Sequence, residues 1–487
     1  MFTLEQLLEW LDLKNCWKYE QNLYRSLETD SRLVGPESVF IALPGVSSNG
    51  WDYFKQVVNK GCQVAVVPKG LGLKHDTLQL IEVDNIEEQV AKLCRRVYGP
   101  APQHVVAVTG TNGKSSICYY IAQLAQAVGL SSAMIGTFGI GPLTHLQEAQ
   151  QTTPDLLTLH KLLSSFAAQG IQLVAFEASS HALDQKRLAG VPVSTAVFSN
   201  LTRDHLDYHG SMESYAVAKR KLFEFDSLQQ AIICADSEYA SFMLQACAAN
   251  AWQYSAQNRL EADFSVVTKS FKQDGVDLTI RVHDKEYEVS IPLLGDFNVQ
   301  NALAALAAVE SVAGEVGSLV SALSELQGAP GRMQPSKCKG APLVLVDYAH
   351  TSDALEVALK AVHDHASGDV VCVFGCGGDR DSGKRPLMLQ AAQRNAHKVF
   401  LTSDNPRSEA PMAIIADAMK GLDKSLSDVV IEVDRRKAIR EAILSSKPED
   451  IVLVAGKGHE NYQEVDGVRY HFDDREEAQT ALSHYVS

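Results

Sequence analysis

The stretch Thr109-Gly110-Thr111-Asn112-Gly113-Lys114-Ser115-Ser116 follows the apolar run Val105-Val106-Ala107-Val108 without a break. Glycines after a strand let backbone N–H groups turn toward phosphate oxygens, and a helix that begins there adds partial positive charge. The common phosphate loop has about four residues between its glycines. Gly110 and Gly113 are three positions apart, so this is a shortened relative. Lys114 is then placed to reach β- and γ-phosphates, and the Ser115 hydroxyl to ligate Mg2+. A bare glycine turn is the plain alternative, but a Lys-Ser pair at a helix start has little structural use. The helix is predicted from about Ile117.

Three further stretches carry chemistry. The apolar run 171–176 ends in Glu177-Ala178-Ser179-Ser180-His181. A carboxylate at the end of a parallel strand beside a phosphate loop can hold Mg2+ directly or through water; a helix-capping acid is the other reading. Asp204, His205, Asp207 and His209 fall within one short run, but zinc is weakly supported without cysteines or the HExxH spacing. A solvated polar loop fits those residues too. On the predicted helix 214–223, nothing separates Lys219 or Lys221 from ordinary surface lysines. Finally, Asp404-Asn405-Pro406-Arg407 follows the apolar Val399-Phe400-Leu401. Asp, Asn and Pro favour turns for backbone reasons. The same residues could grip a zwitterion: Arg407 a carboxylate, bidentately, and Asp404 and Asn405 its N–H groups.

The apolar runs supply the scaffold. Residues 1 to about 99 show a strand at 39–43, a Gly/Asn/Ser turn, a helix near 52–60 and a strand at 64–67. Tyr98-Gly99-Pro100-Ala101-Pro102 is a break. Beyond Val105, strand-like runs at 133–138, 171–177, 194–199 and 230–234 alternate with helical segments, which predicts a parallel sheet wrapped by helices. A second break at Gly328-Ala329-Pro330-Gly331 precedes strands at 343–347, 370–374, 398–401, 429–433 and 451–455. The expectation is three α/β domains, 1–99, 100–329 and 330–487.

With 487 residues, 46% apolar and 21% charged, the composition is that of an ordinary globular protein. A net charge of −15 argues against a general nucleic-acid or anionic-membrane surface. The acidic, amphipathic N-terminus does not read as a signal peptide, and no apolar run approaches a membrane span. Nine scattered cysteines, mostly in apolar contexts, read as reduced core thiols of a cytoplasmic protein.

TGTNGKS, TTPD (152–155), EASSHALDQKR (177–187), NLTRDHLDYHG (200–210), YAVAK (215–219), LLGDFNVQNALAA (293–305), GRM (331–333), DYAHTSDA (347–354), GCGGDRDSGKRP (375–386), DNPR (404–407) and GKGHE (456–460) occur in this order. Together they resemble the Mur ligase family across nearly the whole chain, and within it the branch that adds meso-diaminopimelate. The resemblance implies a small uridine-nucleotide domain, a central phosphate-loop ATPase-like domain with a parallel sheet, and a Rossmann-like C-terminal domain. It implies a cytoplasmic, monomeric enzyme of peptidoglycan synthesis. ATP would phosphorylate the D-glutamate γ-carboxylate of a UDP-N-acetylmuramoyl dipeptide, and the amine of the diamino acid would displace phosphate.

Residue by residue, the resemblance assigns Gly110 to Ser116 (Thr111, Asn112, Gly113, Lys114 and Ser115 between them) to the ATP phosphates, with Lys114 on the γ-phosphate. Ser115 and Glu177 would bind one Mg2+, and His205 would lie near a second. Lys219 falls where the family carries a carbamylated lysine, an amine converted by CO2 into an anion able to bind the second Mg2+. Asn298 and Asn301 would meet adenine, with Arg332, Asp347 and His350 on the nucleotide from the third domain. Thr152, Thr153, Ser179, Gln185 and Arg187 would hold the muramoyl dipeptide, and Ser31, in Thr29-Asp30-Ser31-Arg32, would lie near the uridine. Arg380, Asp404, Asn405, Arg407, Gly456 and Glu460 would bind diaminopimelate. Departures are small: Ser115-Ser116 where Thr-Thr is usual, Asn49-Gly50 where Asp-Gly is common, Gln151 where Asn often stands, and Ser352 for a Pro.

Two rivals share the mechanism: a lysine-adding muramyl ligase and a folylpolyglutamate synthase, which usually lacks a first domain like 1–99. A nucleotide-driven switch or transport ATPase would explain the phosphate loop alone. Lysine lacks the distal carboxylate and is expected to leave Arg407 buried and unpaired, a strong basis for rejecting it.

Overall fold

The structure is a computed structural model that describes residues 1–13, 22–45, 48–259 and 261–485. Part of the predicted Gly/Asn/Ser turn, and Cys16, lie outside those residues. The chain divides into two compact units, Met1–Lys114 with Ala125–Ile233 and Ser237–Ala251, and Ser115–Leu124 with Cys234–Asp236 and Trp252–Ser487.

In the first unit, strands Ser26–Glu28, Ser38–Ile41, Val64–Pro68 and Gln79–Val83 lie side by side in that order, all parallel. The helix Ile86–Tyr98 buries Ile86, Val90, Leu93 and Cys94 in the same core as Leu156 and Leu157 of the helix Leu156–Ala168. Its last residue, Tyr98, takes a hydrogen bond from the Leu27 N–H at 2.9 Å. The same unit holds a second parallel array, Gln230–Cys234, Thr195–Phe198, His104–Thr109, Leu173–Glu177 and Ser132–Gly136, with Gly139–Gly141 antiparallel at its edge. These strands are buried almost throughout, as β-branched and alanine-rich runs covered on both faces must be.

The second unit contains an antiparallel ribbon not anticipated from sequence. Phe264–Lys272, Gly275–Val282 and Lys285–Ile291 pair in succession. Gly275–Val282 alternates buried and half-buried residues, and Asp274-Gly275 marks the turn; the period of two was the available signal. The six-stranded sheet runs Gln334–Ser336, Leu343–Asp347, Ile451–Ala455, Val370–Cys376, Lys398–Ser403, Asp428–Ile431. Its first strand is antiparallel and the rest are parallel. Helices Ser352–His365, Lys384–Asn395 and Pro411–Met419 pack on one face, Arg435–Leu444 and Asp474–Tyr485 on the other. That is the doubly wound layout expected, with loops at the carboxyl ends of the strands as the natural binding edge.

Burial pushes the thiols of Cys372 and Cys376 up to about 12, which suits inert core residues. Among the described residues no helix is long and apolar enough to cross a membrane.

Arg435, fully buried, ties that edge together. Its guanidinium donates to both oxygens of Asp474, at 2.7 and 2.6 Å. It also donates to the carbonyls of Ala455 and Ser403, the last residues of the two strands that flank Val370–Cys376. Removing one partner strands the other charge in the core, so Arg435→Ala should cost about 3–5 kcal/mol in urea unfolding, and Arg435→Met with Asp474→Leu should recover most of it.

Candidate active site

The glycine loop is fastened to the segment that follows strand Thr195–Phe198. Thr111 N–H donates to the Asn200 carbonyl at 2.8 Å and Asn112 N–H to Asn200 Oδ1 at 3.0 Å. Ser199 Oγ donates to the Asn112 carbonyl at 2.5 Å. Gly110 has φ +146°, and a Cβ there would lie 1.9 Å from Ser199 Oγ, so glycine is required by backbone angle and by space. The helix begins at Lys114, three residues earlier than predicted. Lys114, Ser115 and Ser116 therefore form its first turn, where free N–H groups are found. Lys114 Nζ curls over the loop and donates to the carbonyls of Gly110 and Thr111 at 3.0 and 2.7 Å.

Lys219, near the end of helix Met212–Arg220, is 1% exposed. Its Nζ donates to the Gly110 carbonyl at 2.6 Å and lies 4.6 Å from the Tyr215 ring centre. Burial, and then the charge of Lys114, push its ammonium well below the ordinary lysine value. The residue that the local sequence could not single out is thus a buried amine, biased toward the neutral form, on the glycine loop itself.

Glu177 ends its strand buried, with Oε1 accepting from Thr137 N–H at 2.6 Å. Around it the predicted dipeptide residues converge. Thr153 Oγ1 donates to the Glu177 carbonyl at 2.6 Å and accepts from Ser179 N–H at 3.1 Å. Arg187 donates to the Thr153 carbonyl at 3.2 Å and to Gln185 Oε1 at 2.9 and 2.6 Å. Thr152 Oγ1 lies 3.3 Å from Thr137 Oγ1. Ser31 is placed apart from this network, its Oγ donating to Gln56 at 2.9 Å.

His205, at φ +52°, begins the short helix Leu206–His209. Its ring centre is 4.9 Å from that of His181, which in turn is 4.2 Å from Tyr208. His181 is a member of the cluster that the sequence did not assign; its place at the head of helix Ser180–Asp184 was the only cue. Burial, then neighbouring His205, lower the pKa of His181. Among the described residues no three His, Cys, Asp or Glu side chains converge as a metal cage. The donors available here, a buried carboxylate and the imidazole of His205, need a further oxygen ligand to suit a hard cation such as Mg2+.

In the second unit, Asn298 and Asn301 are buried in helix Asp296–Ala313. Asn298 accepts from Tyr120 OH at 3.1 Å and donates to the Leu294 carbonyl at 2.9 Å. Both ends of its amide are engaged within the protein. Asp347 accepts from the N–H groups of Met333 and Ala349, each at 2.8 Å. Arg332 lies over the Tyr348 ring at 4.8 Å, and His350 Nδ1 lies 2.8 Å from the Tyr348 carbonyl.

The segment 404–407 is built from both flanks. Asn405 Nδ2 donates to Glu460 at 2.9 Å, and Asn405 Oδ1 accepts from Glu464 N–H at 2.9 Å and from Lys457 Nζ at 3.2 Å. Lys457 is 0% exposed, a buried cation unassigned from sequence. Asp404 Oδ1 accepts from Asn405 N–H at 2.7 Å. A Cβ on Gly456 would lie 2.7 Å from Asp404 Oδ2, so the strand after Ile451–Ala455 passes directly against that carboxylate. Arg380 is exposed on the neighbouring loop.

Arg407 is held by its own neighbours. It sits at φ +51°, paired in parallel with Val465 of the hairpin Tyr462–Val465 and Val468–His471. Its Nη1 donates to the Gly378 carbonyl at 2.7 Å, and its Nε is 3.9 Å from Glu464. The guanidinium is therefore anchored from within by one carbonyl, with a carboxylate nearby. Asn405 likewise takes its N–H groups from the protein, which leaves Glu460 and Asp404 as the acceptors with capacity to spare.

The chain matches the Mur ligase middle domain over residues 108–309 and the Mur ligase glutamate ligase domain over residues 331–458. A protein of Coxiella burnetii, UDP-N-acetylmuramoyl-L-alanyl-D-glutamate–2,6-diaminopimelate ligase, is 38% identical over 490 residues, covering 98% of this chain and 99% of its own length. One of the same name from Pseudomonas aeruginosa is 41% identical, covering 95% of each chain. A solved structure of a ligase of that name superposes with a TM-score of 0.77 at 37% identity, covering 99% of both chains.

His459 lies in the Arg332–Tyr348 cluster, its ring 5.2 Å from that of Tyr348. Burial, then Arg332, depress its pKa from 6.5 to about 4. The unfolded chain therefore binds the extra proton first, so stability is full above 6.5 and declines as pH falls toward 4. In thermal melts His459→Gln should flatten that part of the pH profile; an unchanged slope would contradict a buried neutral imidazole.

Proposed function

Because this chain belongs to the Mur ligase family, we propose that it is the ATP-dependent ligase that joins meso-diaminopimelate to UDP-N-acetylmuramoyl-L-alanyl-D-glutamate in peptidoglycan synthesis. Nearly full-length relatives of that name carry the assignment. The three domains divide near residues 99 and 329. ATP is the co-substrate. A free carboxylate is a poor electrophile, so the γ-carboxylate of the D-glutamate takes the terminal phosphoryl group of ATP. The diamino acid's amine then attacks the acyl phosphate, and the tetrahedral adduct expels phosphate to leave an amide. The substrates are small molecules, and the enzyme works as a cytoplasmic monomer.

The loop N–H groups and Lys114 cradle the phosphates, and Thr153, Ser179, Gln185 and Arg187 orient the dipeptide. Ser115, Glu177, His205 and Lys219 as a carbamate would hold Mg2+ at two sites. When bound, Mg2+ neutralises phosphate charge as the phosphoryl group moves. Lys219 supports the carbamate because only a neutral amine attacks CO2: its nitrogen bonds the carbon, loses a proton, and a cation becomes an anion. Arg407 and Arg380 receive the distal carboxylate of diaminopimelate, and Glu460 and Asp404 its ammonium.

The decisive assay is phosphate release from ATP with the UDP-muramoyl dipeptide and meso-diaminopimelate, lysine or no amine. Turnover is expected with diaminopimelate alone; turnover with lysine alone would overturn the specificity, and none with either would overturn the activity. Arg407→Ala should raise KM for diaminopimelate about 100-fold or more while KM for ATP stays within about twofold. In 13C-bicarbonate, the wild type should show a carbamate carbon resonance that is absent from Lys219→Ala, and Lys219→Ala should lose turnover.

A further inference from the structure

Two loops carry the arginines assigned to the diamino acid: Gly377 to Asp381 with Arg380, and Asp404 to Glu409 with Arg407. They are stitched to each other at every step. Gly378 N–H donates to the Asn405 carbonyl at 2.9 Å, and Arg407 Nη1 returns to the Gly378 carbonyl at 2.7 Å. A Cβ on Gly378 would lie 1.9 Å from the Pro406 carbonyl oxygen, so the backbones touch with no side chain between them. Asp379 accepts from Ser408 N–H at 3.2 Å and from Ser408 Oγ at 2.7 Å.

Glu409 closes this seam. Its Oε1 accepts from the Asp379 N–H at 2.6 Å and from Arg385 Nη2 at 2.7 Å, and its Oε2 accepts from Arg385 Nη1 at 3.0 Å. Arg385 is 1% exposed and also donates to the Gly377 carbonyl at 3.3 Å. The buried guanidinium fixes the carboxylate, and the carboxylate fixes Asp379 in its left-handed conformation at φ +53°, opposite Arg407 at φ +51°. Two such non-glycine residues persist only where surrounding bonds over-determine them.

We propose that Glu409 is a positioning residue: through Arg385 and the Asp379 N–H it makes the two loops one body, and so sets the separation of Arg380 and Arg407 that selects the diamino acid. The proposal rests on reading those two arginines as substrate residues. Asp417 provides the internal contrast. It binds the same Arg385, at 3.0 Å, and otherwise Lys420, and among the described residues its side chain bonds to neither loop.

The test is steady-state kinetics on the full chain with ATP, the UDP-muramoyl dipeptide and meso-diaminopimelate. Glu409→Gln should raise KM for diaminopimelate about tenfold, since a displacement of about 1 Å in a positioned group can cost that much or more, with KM for ATP unchanged. Asp417→Asn should lower the melting temperature without moving KM for diaminopimelate. In an Arg407→Ala background Glu409→Gln should add nothing further, because the separation of the two arginines no longer exists to be set. Asp379→Asn, at the exposed end of the seam, should raise the same KM by a smaller factor, and reads the effect if Glu409→Gln does not fold. An equal rise in Asp417→Asn, or additive effects with Arg407→Ala, would reduce Glu409 to a structural ion pair and overturn the proposal. An Arg407→Ala enzyme with normal KM for diaminopimelate would instead overturn the substrate assignment beneath it.

Discussion

A cation taken out of water must be met by oxygen, and this fold places that demand at the carboxyl ends of its strands. Lys219, Arg385, Arg435 and Lys457 are each 1% exposed or less. Each gives at least one donor to the end of a strand or to the loop that leaves it: Gly110, Gly377, Ser403 with Ala455, and Asn405. An unpaired buried charge costs several kcal/mol, so these loops cannot move away from their cations without a large loss. Loops on most proteins are the mobile part; here buried charges tether them to the fold.

Lys219 shows how one such contact serves both stability and chemistry. The Gly110 carbonyl satisfies one donor, and the remaining donors lie beside Tyr215 and the charge of Lys114. The site favours the state with fewer protons, which is also the state that reacts with CO2. A carbamate formed there would turn a repulsion between two lysines into an attraction.

Much of the scaffold was legible in the sequence because parallel strands buried on both faces read as unbroken apolar runs: Leu343–Asp347 and Ile451–Ala455 fall where those runs predict. The ribbon 264–291 was missed because its half-exposed strands carry Lys, Asp and Glu among their apolar residues, and a period of two is easily lost there. The phosphate loop was plain from its glycines, while its helix begins earlier than the first apolar residue suggests, since Lys114 to Ser116 are polar. The environment of Lys219 was invisible, because burial of a lysine depends on what folds over it. For Arg407 the residue type indicated carboxylate binding, but its internal partners come from Gly378 and Glu464, distant in the chain, and no local pattern announces them.

The hairpin Tyr462–Val465 and Val468–His471 has a consequence for inheritance as well as geometry. Arg407 N–H donates to the Glu464 carbonyl and Asp466 N–H to the Arg407 carbonyl, at 3.0 and 2.8 Å, while Gln463 caps the Asp404 carbonyl at 2.6 Å. The four residues proposed to read the amino acid are thus bonded to a ribbon encoded some sixty positions later. Grafting them alone into a relative would transplant the letters without the template that spells them. On the proposed reading, selectivity would be heritable only as a two-segment module, and drift in the hairpin would rewrite it while the motif itself stays intact.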